Sequence, residues 1–279
     1  MSLTLAAASC PEANPGCFPE DLPLGPLFEF KPFLFEDSTL FAFNRVGMLY
    51  LLAGLITIGL MWAAFSQPKI VPGRFQAAME GLVDIVRTNI VPQAIGPDGA
   101  KFVPLLTSIF LFIFVNNFFE IMPFVNFPST GRMAVPAMLA IMSLVMFILV
   151  GIKAQGAKYF INAVKPPGVP APILVLIIPI EIISTFVVRP LTLAVRLFAN
   201  MMAGHILLTV VFLATNAFFI DFHDLASPAL NVRGLPIGII ALAGAVALVA
   251  FELLVGFLQA YIFTILTAVY IGGSLHPEH

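Results

Sequence analysis

Residues 171–219 read APILVLIIPIEIISTFVVRPLTLAVRLFANMMAGHILLTVVFLATNAFF, and their only acidic, basic or histidine groups are Glu181, Arg189, Arg196 and His205. No period-2 alternation runs through the stretch, so a helix is expected rather than a strand. At 1.5 Å per residue such a helix is about 70 Å long, roughly twice a bilayer's hydrocarbon core. Residues 235–273 carry Glu252 as their sole charged group and pose the same problem at about 60 Å. Each stretch either folds into a hairpin of two spans or crosses once at a strong tilt; periodicity leaves both open.

The rest of the chain agrees with a membrane solvent. Hydrophobic residues make up 60% of the 279 and charged ones 10%, with a mean hydropathy of +1.03, against roughly 25% charge in soluble domains. Further apolar spans are expected at 46–65, 102–121 and 134–152. Only helices or closed barrels satisfy their backbone groups in lipid. Between the first two spans, Phe75, Met79, Leu82, Val86 and Ile90 oppose Glu80, Asp84 and Arg87, so 75–91 reads as an interfacial amphipathic helix. The fold class is therefore all-α and integral to the membrane, with about five crossing helices in a membrane domain over 46–279.

Residues 1–45, with PEANPGCFPEDLPLGP at 11–26, read as an irregular extracytoplasmic segment. The opening MSLTLAAASC lacks a basic n-region and has too short an apolar core for a targeting signal. Cys10 and Cys17 form either a disulfide or two plain thiols, and no metal-ligand set surrounds them. A net charge of -2 leaves no basic face for nucleic acid.

Orientation follows from lysine and arginine. Lys69, Arg74, Arg87 and Lys101 follow the first span, and Lys153, Lys158 and Lys165 follow the third. All fall on one side, which the positive-inside rule makes cytoplasmic. Single crossings by both long stretches then leave Lys31, Arg45, Arg132, Arg233, Asp221 and Asp224 on the other. The N-terminus is expected outside and the C-terminus in the cytoplasm.

An arginine in mid-membrane costs from about 3 to more than about 10 kcal/mol, so it faces protein or water and marks function by default. On one helix Arg189, Arg196 and Asn200 fall within about 40° of each other, with Pro190 a candidate kink between the first two. His205, nine positions past Arg196, points about 180° away. Glu252 and Gln259 share a face, as do Asn117 and Glu120. Such groups also serve simply to hydrogen-bond helices together. A lone buried carboxylate instead needs a partner or a proton, and either suits a proton path.

The segment RPLTLAVRLFANMMAGH, Arg189 to His205, closely resembles the signature helix of the F-type ATP synthase subunit a family. FELLVGFLQAYIFTILTAVYI, Phe251 to Ile271, resembles its final helix, and VNNFFEIMPF, Val115 to Phe124, an earlier one. The resemblance runs from the first span onward. It departs at PSTGRMAV, Pro128 to Val135, from which no role is carried over.

The resemblance implies that Arg196 is the essential stator arginine, Asn200 the asparagine one turn on, and Gln259 the glutamine supporting the arginine from the last helix. His205 and Glu252 match the His and acid of the outer proton half-channel, Asn117 and Glu120 polar positions of the same path, and Glu181 the acid near the cytoplasmic exit. It implies two strongly tilted helices against a ring of carboxylate-bearing c subunits, with peripheral-stalk b subunits, other ATP synthase subunits and membrane lipid as further partners. A bacterial plasma membrane is the expected location, an organellar inner membrane the alternative. The proton is the expected coupling ion over sodium, whose ligands in such machines lie mainly on the ring. No cofactor or metal is expected, and no GxxxxGK[ST] loop exists, so ATP chemistry falls to partner subunits.

Three other classes fit worse. A secondary transporter using Arg196 for an anion favours inverted repeats, and none is visible. An intramembrane hydrolase would need Ser184 and His205 to meet, but 21 residues of continuous helix separate them by about 30 Å. An inert scaffold leaves Arg196 and Glu252 unexplained.

Overall fold

A computed structural model of the chain describes residues 45–122, 133–156, 158–164, 171–221, 229–230 and 235–275. Almost all of the expected N-terminal segment, Cys10, Cys17, Lys31, residues 128–132, Lys165, Asp224 and Arg233 lie outside these.

Helices dominate. They are α1 (Arg45–Phe65), α2 (Arg74–Asp84), α3 (Val91–Ala94), α4 (Val103–Ile121), α5 (Ala134–Gln155), α6 (Lys158–Val164), α7 (Ala171–Ile183), α8 (Arg189–Phe219) and α9 (Leu235–Leu275). A 3-10 turn, Pro97–Phe102, leads into α4. One short antiparallel pairing, Ile220–Asp221 with Ala229–Leu230, lies between α8 and α9. Five segments are long and apolar enough to cross a membrane: Val46–Phe65, Pro97–Ile121, Ala134–Gln155, Ile173–Leu213 and Pro236–Leu275. The last is one unbroken helix, and α7 runs through a π turn, Ser184–Val188, directly into α8. Neither long stretch is a hairpin.

Two π turns mark how the helices accommodate proline. Pro190 has no N–H, and its ring clashes with the carbonyl four residues back in a regular helix. Here the N–H of Arg189 bonds to Ser184 O, five residues back, which widens the turn before the proline. The same device precedes Pro92: the π turn Ile85–Ile90 ends with the N–H of Val91 bonded to Val86 O. The irregularity therefore lies before Arg189, and Pro190 occupies the first turn of a continuous α8 rather than kinking the path from Arg189 to Arg196.

The described chain falls into two compact units, one of Ala203–Leu254 and one of Val46–Met202 with Val255–His279. The second holds the main core. Leu106, Phe110 and Ile113 of α4, Phe147 of α5, Leu193 and Leu197 of α8, and Phe263 and Ile271 of α9 are buried together with Val86 and Ile90. Phe110 meets Phe257 edge-on at 5.5 Å between ring centres, and Tyr50 meets Phe112 at 4.9 Å. Polar pairs also join the helices in this unit: Ser143 to Thr267 at 3.2 Å and Gln155 Nε2 to Ser274 O at 2.8 Å.

Two local details differ from the sequence reading. Phe75, expected on the apolar face of 75–91, is 48% exposed, while Gln76 is buried. Gln76 is drawn in by bonds to both backbone groups of Lys69 at 3.4 Å and to Glu80 Oε1 at 2.7 Å. The short helix α6, which no periodicity announced, is seated by Tyr159 against Gly151.

Candidate functional site

In the larger unit, α8 presents two faces. Leu193, Ala194, Leu197 and Met201 are buried, whereas Leu191, Val195, Arg196 and Ala199 are exposed, with Asn200 half-buried at the border. The helical repeat explains the split, since 193, 197 and 201 recur at one turn and 195, 196 and 199 lie on the flank. Arg196 thus stands on an outward apolar face. Among the described residues it has no ion pair and no hydrogen bond.

α4 and α9 bring polar groups into the same unit. Asn117 is 3% exposed and donates from Nδ2 to Gly256 O at 3.0 Å. The helices approach closely here: a Cβ at 256 would lie 3.2 Å from that of Asn117. Asn117 Oδ1 and Gln259 Nε2 are buried without a hydrogen-bond partner. Gln259 and Arg196 are not hydrogen-bonded to each other. Glu120, one turn from Asn116 and Asn117, is 2% exposed. Thr107, which the sequence reading passed over, is buried on α4 with Oγ1 unpartnered. A threonine among apolar neighbours carries no signal of its own in sequence, and its burial is seen only in the packed helix.

Glu181 is half-buried. Its Oε1 lies 3.6 Å from Arg189 Nη2 and accepts from Thr185 Oγ1 at 3.2 Å. The Arg189 guanidinium in turn lies 5.5 Å from the Tyr270 ring centre.

In the smaller unit, His205 and Glu252 are each 5% exposed. The Glu252 carboxyl group packs directly on Gly204, where a Cβ would collide with both of its oxygens, beside His205 in the chain. Glu252 Oε2 has no hydrogen-bond partner, and Thr209 Oγ1 donates to His205 O at 2.7 Å. Buried polar atoms left unpaired are costly, and ordered water is what commonly satisfies them.

Helices of this length and apolarity, with polar groups only at scattered positions, define an all-α integral membrane protein. The chain belongs to the ATP synthase A chain family, which matches residues 47–272. It is 39% identical over 251 residues to ATP synthase subunit a of Rhodococcus erythropolis, covering 89% of this chain and 88% of that one. It is 43% identical over 239 residues to the Frankia alni protein of the same description, covering 85% and 79% respectively. A Streptomyces lividans relative is 38% identical over 254 residues, covering 90% and 86%. Membership makes the chain a membrane subunit of an F-type ATP synthase, in the sector that translocates protons, with other ATP synthase subunits as its partners.

Proposed function

We propose that the chain carries protons through two offset half-channels at the interface with a rotating c-ring, in a bacterial plasma membrane with its N-terminus outside. The observation that carries this reading is Arg196, exposed on an apolar helix face with no anionic partner among the described residues. A cation so placed in a membrane is well matched by a carboxylate presented from a neighbouring subunit. The carboxylate-bearing subunits of the ring supply it.

A proton entering from outside passes Asn117, Glu120, His205 and Glu252 and neutralises a ring carboxylate. The neutral site rotates into lipid, where its charged form is prohibitive. On its return the site meets Arg196, whose planar guanidinium favours the carboxylate, and the proton leaves past Glu181. Asn200 and Gln259 flank the arginine. Arg196 thereby both releases protons and blocks direct leakage; each proton is worth about 2.3 kcal/mol per 100 mV, which a leak would dissipate without rotation. The long helices lie strongly tilted, so that their apolar lengths of about 60–70 Å fit a core of about 30 Å.

Ala199 shares the exposed face of Arg196. In the assembled complex treated with a thiol oxidant, Ala199→Cys is expected to form a disulfide with a cysteine introduced beside the ring carboxylate and to stop ATP-driven pumping until a reductant is added. Failure to cross-link at any ring position beside that carboxylate would overturn the ring-facing assignment.

A further inference from the structure

Residues eight apart on a regular α-helix point about 80° away from each other, whereas residues seven apart agree within about 20°. Glu181 and Arg189 are eight apart, yet their side chains meet at 3.6 Å. The π turn Ser184–Val188 between them accounts for this. It absorbs one extra residue, so the pair acquires the phase of a seven-residue interval. Glu181 is thereby brought onto the stripe that Arg189, Arg196 and Asn200 already share along α8.

The cluster has further supports. Thr185, inside the π turn, donates to the same carboxylate oxygen at 3.2 Å. The ring of Tyr270 on α9 lies 5.5 Å from the guanidinium, within cation–π range. Side-chain exposures of 39% for Arg189 and 33% for Glu181 leave both within reach of water. At 3.6 Å the pair is loose, so the carboxylate is held in place without being sealed off.

We propose that Arg189 is a positioning residue for the proton exit: with the π turn and Tyr270 it holds the Glu181 carboxylate on the stripe of Arg196. This rests on the reading of Glu181 as the exit acid. A proton that leaves a ring site and binds a Glu181 oxygen loosens the ion pair, and the guanidinium stays on the Tyr270 face. When the proton passes to cytoplasmic water, the pair re-forms. No other bond is made or broken.

The test is ATP-driven pumping by the purified, reconstituted complex carrying Arg189→Gln, Glu181→Gln, both together, or Arg189→Lys. Arg189→Gln is expected to slow pumping about three- to tenfold and the double variant to be no slower than Glu181→Gln alone, as for residues acting through one group. Arg189→Lys, which retains a cation, should recover about half the lost rate. Independent, multiplying losses in the double variant, or a full rate in Arg189→Gln when Glu181→Gln is slow, overturns the positioning role. An unimpaired Glu181→Gln enzyme overturns the exit reading instead. If Arg189→Gln does not assemble, Tyr270→Leu replaces it and must slow the parent but not Glu181→Gln; any other pattern counts against the proposal.

Discussion

At Gly204 a single added methyl group tests the role proposed for Glu252. Its backbone is the surface on which the Glu252 carboxyl group lies, and both flanking helices are fixed by their own hydrogen bonds. Gly204→Ala therefore displaces the carboxyl group rather than the backbone. Because the group that moves is the end of a flexible side chain, the displacement costs little in packing. Gly204→Ala is expected to assemble normally and to slow ATP-driven pumping several-fold, with Gly204→Val slower still; an unchanged rate would separate Glu252 from the proton path. The sequence already pointed to Glu252, because a lone carboxylate in an apolar stretch stands out. It gave no reason to single out Gly204, since glycine is common in membrane helices and its role depends on what packs against it. Arg196 was legible for the same reason as Glu252, but its outward placement was not, because burial on α8 is decided by neighbours far along the chain.

The prolines carry the lesson for elements. Pro190 suggested a kink between Arg189 and Arg196, which would have blurred the polar stripe. Instead the strain is taken up in the turn before Arg189, so the stripe stays straight. Hydrophobicity alone cannot reveal such a π turn, because neither its start nor its end changes the apolar pattern of 171–188. The eight-residue spacing of Glu181 and Arg189 is its trace in sequence, readable once the contact is known. Deleting Val187 removes the extra residue and lets α7 and α8 join as one regular helix, with the acid and the arginine still in phase. That variant should retain pumping but inactivate at lower temperature, since Pro190 would then sit inside a regular helix at a cost of about 3 kcal/mol. Adding Pro190→Ala should restore the temperature. Inserting an alanine after Val187 rotates the pair apart by about 100° and should slow pumping. Equal loss in the deletion and the insertion would contradict the register argument.

At the scale of the molecule, the number of spans was legible from apolar length, and the choice between hairpins and single long crossings was not. Length showed only that both stretches exceed a bilayer. The unbroken α9, and α7 joined to α8 by hydrogen bonds that a hairpin turn would have interrupted, decide in favour of single helices. Helices of that reach offer a long apolar flank to a neighbour, and Arg196 is the charge set into that flank. On the proposed mechanism, coupling between proton flow and rotation rests on one guanidinium. Its replacement tests the whole arrangement: ATP-driven acidification by reconstituted complex, compared between the parent and Arg196→Ala, with passive proton leak through the membrane sector measured on the same vesicles. Acidification is predicted to disappear while a new leak opens, and Arg196→Lys is predicted to lose coupling as well because it lacks the planar fork. Coupled acidification at the parental rate in Arg196→Ala would contradict the central role of this residue and the mechanism built on it.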